Sequence, residues 1–191
     1  MRSNRVTPAQ AETFIAWFYE PGYDLTDILL LHSRSVGALA LDISHVCMLG
    51  LDDDDVMTAS LLHDIGIFLT DAPGIHCYGH EPYIRHGVLG AALLRSQGMP
   101  EWIARVAERH TGVGLTCAQI REKGLPLPEA DFVPETLLEK LVCYADKFYS
   151  KSGDMQRKKF ENVRASISRK FPESLERFDA LHKLFSKYNA L

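Results

Sequence analysis

His63-Asp64 stands inside an apolar run, Ala59-Ser-Leu-Leu-His-Asp-Ile-Gly-Ile-Phe68. An imidazole and a carboxylate side by side in such a segment cost free energy unless they find partners. A divalent ion is an economical partner, because imidazole nitrogen and carboxylate oxygen suit iron, manganese, zinc or cobalt. Other residues of the same chemistry recur along the chain: His32, His86, His110 and Asp146. Each sits near the end or on the apolar face of a different expected helix, and a helical bundle can aim such side chains at one point. Six groups exceed the needs of one ion with open positions. They are about right for two ions that share a carboxylate.

The elements that must position them read as helices almost throughout. Thr7-Pro8 opens a helix expected to reach about Glu20, where Pro21-Gly22 breaks it. From Asp24 a long segment lines up Leu25, Ile28, Leu29, His32, Val36, Leu39, Ile43 and Val46 on one face. The carboxylates Asp52 to Asp55 read as a helix start rather than a metal site, capping free N–H groups. The helix they open ends near His63-Asp64, with Gly66 as terminator. Thr70 to Glu81 reads as a loop. Further helices are expected from Pro82 to Ser96, from Pro100 to His110, from Thr116 to Lys123 and from Glu135 to Ser150. Asp154 to Asn189 reads as two amphipathic helices broken at Pro172, fitting either a homodimer face or the domain's own core. No convincing β-alternation appears, so the fold class expected is all-α, one domain over residues 1–191 with a core at 24–151.

The ordered set Leu31-His32-Ser33-Arg34, Leu62-His63-Asp64-Ile65-Gly66, Arg85-His86-Gly87, Arg109-His110-Thr111-Gly112 and Tyr144-Ala145-Asp146-Lys147 resembles the HD superfamily of metal-dependent phosphohydrolases. The resemblance implies an HD-like helical bundle. It implies that His32, His63, Asp64 and Asp146 hold a first ion, and that Asp64 bridges to a second held by His86 and His110. Iron or manganese is the favoured metal, with zinc, cobalt or nickel also suited. The His-Gly and His-Thr-Gly contexts are similar to small dinuclear hydrolases that cut diadenosine tetraphosphate symmetrically, and to short HDIG proteins. After Asp146 the chain reads Lys147-Phe148-Tyr149-Ser150-Lys151, where those hydrolases carry Ile-Glu-Pro and an arginine. Ile67 after Gly66 and the lack of a Gly-Tyr-Pro sequence argue against the cyclic-dinucleotide phosphodiesterases.

The activity so implied is hydrolysis of a small phosphate ester or anhydride, a nucleotide by resemblance, with Asp64 as the catalytic carboxylate. His80, Arg85, Lys147 and Lys151 are candidates for contacting substrate phosphate. His76 could close over the site, while His45 and His182 read as structural or solvated. The rival enzyme class is an HD-fold diiron oxygenase, which uses the same six ligands. A noncatalytic nucleotide sensor would be expected to carry a damaged ligand set, and all six ligands are present here.

The 191 residues carry a formal net charge of −4, which does not favour nonspecific nucleic-acid binding. Cys47, Cys77, Cys117 and Cys143 form no CxxC pair and read as free thiols. No apolar run is long enough to span a bilayer and Met1 to Pro8 lacks a signal-peptide pattern, so a cytoplasmic protein is expected.

Overall fold

The computed structural model describes residues 5–153 and 155–189. The expected features at Met1 to Asn4, the helix start at Asp154, and the side chain of Asn189 with the last two residues lie outside them. The fold is all-α. Helix α1 spans Pro8–Ile15, α2 Asp24–Cys47, α3 Asp53–Leu62, α4 His86–Ser96 and α5 Glu101–Arg109. Helix α6 spans Cys117–Glu122, α7 Leu137–Asp146, α8 Phe160–Lys170, α9 Leu175–Leu184 and α10 Ser186–Asn189. The 24-residue α2 is the spine, packed along α3 and α7, while α4 packs along α5.

Local chemistry sets many of the boundaries. Thr7 and Gln10 form a capping box at α1, Thr116 and Gln119 one at α6, and Thr136 and Glu139 one at α7. Asp52 accepts from the backbone N–H groups of Asp54 and Asp55, so the acidic run is a helix cap. Arg5 pairs with Asp52 and Asp54 and ties the N-terminal segment to that cap.

The apolar stripe of α2 divides its burial between two clusters. Val36, Leu39 and Ile43 join Val142, Tyr144, Val163, Phe178 and Phe185, so the C-terminal helices cover the domain's own core. Leu29 joins Phe14, Leu62, Ile65, Leu94 and Ile103 in the other cluster. His32 lies between them on the same stripe, 1% exposed.

Three expectations are corrected. Helix α1 ends at Ile15, before the expected Glu20, and the chain turns so that the Tyr19 hydroxyl donates to the Ile65 carbonyl at 2.8 Å. The expected loop after Thr70 holds a small sheet: Thr70–Ala72 (β1) pairs antiparallel with Cys77–Tyr78 (β2) and parallel with Glu81–Pro82 (β3). Strands of two or three residues are too short to show a period of two in sequence. Gly66, expected to terminate α3, lies beyond its end: the helix stops at Leu62 with His63 as its cap, and Gly66 precedes a short 3-10 turn. It lets the chain pass close to α4, as described below.

Glu139 illustrates how the frame depends on a buried charge. Its side chain is 2% exposed, and it accepts from Arg105 Nε at 2.8 Å and from the Glu135 N–H at 2.7 Å. Burial raises its carboxyl pKa, but Arg105 and the backbone donors outweigh burial and hold it below 4.5. A carboxyl depressed in the folded state contributes stability above its unfolded pKa and loses it as pH falls through the folded value. Glu139→Ala should cost about 2–3 kcal/mol by urea denaturation at neutral pH. The deficit should shrink on acidification. A variant as stable as the parent at both pH values would show the network to be idle.

Candidate metal centre

The six histidine and aspartate groups converge from five places in the chain. His32 comes from the middle of α2, and His63 caps α3 with Asp64 just after it. His86 begins α4, His110 follows α5, and Asp146 ends α7. All are buried. One ligand atom from each of His32, His63, Asp64 and Asp146 lies within 4.8 Å of the others, as do those of Asp64, His86 and His110. Asp64 belongs to both groups, and its two oxygens divide between them. Oδ2 lies 3.2 Å from His32 Nε2 and 3.0 Å from His63 Nε2. Oδ1 lies 3.4 Å from His86 Nε2 and 3.3 Å from His110 Nε2.

Backbone carbonyls orient three of the imidazoles. His63 Nδ1 stands 2.6 Å from the Ser60 carbonyl, His86 Nδ1 2.6 Å from that of Tyr83, and His110 Nδ1 2.8 Å from that of Ala107. Each acceptor lies three residues back. A carbonyl only accepts, so each Nδ1 carries a proton and each ring turns its Nε2 toward the other ligands. This is the outer-shell arrangement of metal-ligating histidine.

The donor set fits a cation. His86 Nε2 and His110 Nε2 are 3.0 Å apart. With both protons on Nδ1, two lone pairs face each other, an arrangement that only something positive between them stabilises. Nitrogen ligands about 2.1 Å from a shared ion and at right angles would be about 3 Å apart. His63 Nε2 and Asp64 Oδ1 are buried without a hydrogen-bond partner. Burial, with His110 adjacent, pushes the His86 pKa down to about 3, and burial lowers that of His110. Both rings are therefore neutral ligands at neutral pH. Burial also opposes protonation of His63, yet Asp64 and Asp146 outweigh it and push its pKa up to about 9. The field that attracts a proton to that nitrogen attracts a divalent cation equally.

Two of the four substrate-contact candidates reach the cluster. Lys151 Nζ lies 2.6 Å from Asp64 Oδ2, and Lys147 Nζ lies 2.6 Å from Asp146 Oδ2 while donating to the His110 carbonyl at 3.1 Å. Arg85 instead pairs with Glu81, four residues earlier in strand β3, and His80 is exposed. His76 lies 3.5 Å from Asp24, His45 pairs with Asp53, and His182 meets the Tyr144 hydroxyl at 2.8 Å. Tyr83 was not singled out in the sequence. It stacks on His86 with ring centroids 4.7 Å apart and lines a cleft of about 760 Å³ beside Asp146. Its place three residues before His86 was a usable signal, since one helical turn superposes the two rings.

A family model described as the HD domain matches residues 29–150. A tRNA (cytidine(56)-2'-O)-methyltransferase of Thermoplasma volcanium is 33% identical over 165 residues, covering 86% of this chain and 44% of that protein. The protein of that name from Picrophilus torridus is 33% identical over 124 residues, 65% of this chain and 32% of its own length. An uncharacterized protein of Methanocaldococcus jannaschii is 42% identical over 96 residues, 50% of this chain and 49% of its own. The match thus spans less than half the length of each of these relatives. No solved structure matches the chain. No helix among the described residues is long and apolar enough to cross a membrane.

Proposed function

The chain belongs to the HD-domain family, a family of metal-dependent domains, and we propose that it is a phosphohydrolase acting on a phosphate ester or anhydride at a two-ion centre. The observation that carries this reading is Asp64, fully buried, with one oxygen toward His32 and His63 and the other toward His86 and His110. His32, His63, Asp64 and Asp146 would hold one ion, and His86 and His110 a second with Asp64 shared. Imidazole and carboxylate donors of this kind suit iron or manganese first, then zinc, cobalt or nickel.

Such ions, when bound, supply Lewis acidity and make hydroxide from water near neutral pH. The chain's own residues do the rest. The Ser60, Tyr83 and Ala107 carbonyls hold three imidazoles in the tautomer that donates inward. Asp64 and Asp146 hold the negative charge of the centre and are placed to accept a proton. Lys147 and Lys151 put ammonium groups where charge gathers on phosphoryl oxygens in the transition state.

The substrate is a nucleotide on this reading. A second reading places the substrate phosphate on tRNA, and the observation favouring it is the name of two of the relatives. Metal analysis followed by a panel of phosphomonoesters, phosphodiesters, nucleotides and tRNA, run with and without oxygen, decides among these. The expected result is hydrolysis with manganese that persists without oxygen. Turnover that requires oxygen would move the protein to the oxygenase class, and an inert protein with full metal content would end the hydrolase reading. His86→Ala combined with His110→Ala should leave one ion of two. Retention of both in that double variant would break the assignment of the second site.

A further inference from the structure

The cleft beside Asp146 is lined by residues of the small sheet's connecting turn and of α8. Its volume of about 760 Å³ lies within the range of sites for ligands far larger than a single phosphate. Three lysines face it: Lys147, Lys151 and Lys158. The first two have carboxylate partners, Asp146 and Asp64. Lys158 has none among the described residues, although it is half-buried. It comes from the segment after α7, which folds back so that the Lys158 N–H donates to the Phe148 carbonyl at 2.8 Å. Ser150 and Ser166 add hydroxyls, and Tyr83, Tyr149 and Ile167 add apolar wall.

A half-buried ammonium without a counter-charge is costly, and an incoming anion offsets that cost. Burial lowers the Lys158 pKa, and neighbouring Lys147, Lys170 and Lys151 lower it further against the pull of Asp146. The local surplus of positive charge contrasts with the net charge of −4 for the whole chain. One phosphate at the Asp64 centre would already meet Lys147 and Lys151. It would leave Lys158 and most of the cleft unengaged.

We propose that Lys158 anchors a second phosphate group of the substrate, next to the phosphate that meets the Asp64 centre. The position of the first phosphate rests on the hydrolase reading above. A second phosphate has two sources, the next unit of a polyphosphate chain or the next linkage of an oligonucleotide. The apolar wall accommodates a base in either case.

The test is calorimetric binding of AMP, ADP and the dinucleotide pApA to manganese-loaded wild-type, Lys158→Ala and Lys158→Arg proteins, beside hydrolysis of p-nitrophenyl phosphate. Wild type should bind ADP or pApA about tenfold more tightly than AMP. Lys158→Ala should erase that preference, and Lys158→Arg should keep it. A preference confined to ADP identifies the polyphosphate source, and one confined to pApA the oligonucleotide source. Equal affinity for all three ligands in wild type, or a preference that survives in Lys158→Ala, overturns the proposal. If p-nitrophenyl phosphate is still cleaved in that event, the hydrolase reading stands without it. A Lys158-dependent preference in a protein that cleaves nothing in the panel would sustain the anchor and end the hydrolase reading.

Discussion

Asp64→Asn should bind neither ion stoichiometrically and should lose hydrolysis by on the order of 10³-fold or more. Asparagine keeps the shape of the side chain and removes its charge. The effect should exceed that of any other single ligand change, because Asp64 alone belongs to both ligand groups. Asp146→Asn is the matched comparison. Asp146 belongs to the His32–His63 group only, so its loss should deplete one ion and spare the other. Metal analysis by mass spectrometry on both variants separates the cases. A thermal midpoint measured in chelator isolates the folding contribution, since Asp64 also faces the Lys151 ammonium. An Asp64→Asn protein with two ions and full turnover would remove Asp64 from the centre altogether.

Gly66→Ala should destabilise the fold by about 3 kcal/mol or more, or prevent folding. A Cβ at this position would lie 2.3 Å from the His86 carbonyl oxygen and 2.5 Å from the Gly90 nitrogen. Both are backbone atoms at the start of α4, so no side-chain rotation relieves the clash. The helix would have to move, and it carries His86 with it. Folded Gly66→Ala protein should therefore lose the ion at His86 and His110 before the other. Gly90→Ala probes the same contact from the opposite side, where the nearest atoms are 3.1 Å and 3.2 Å away, and should be milder. Chemical denaturation with metal analysis at each step measures both effects. Gly66→Ala with parental stability would show that α4 tolerates displacement here.

The ligand residues were legible in the sequence because polar groups in apolar helical stretches are conspicuous. His32 on the stripe of α2 and His63-Asp64 at the end of α3 both stood out in that way. Helix starts were legible where side chains encode them, as at Thr7, Asp52 and Thr116. Other features were not local in origin. The early end of α1 follows from Tyr19 reaching Ile65, 46 residues onward. The pairing of Arg85 with Glu81 left it outside the cluster, although the affinity of a guanidinium for phosphate oxygens had made it a candidate.

By itself the sequence determined which side chains could serve a metal and which helices would carry them, because residue type and periodicity are properties of neighbours along the chain. Only the tertiary structure decided how Asp64 divides its two oxygens, that His86 and His110 stand nitrogen to nitrogen, and that Lys158 returns to the cleft with no carboxylate partner among the described residues. Those are distances between segments far apart in sequence, and Gly66 and Gly90 permit one of them, the close approach of α4 to the turn after Asp64.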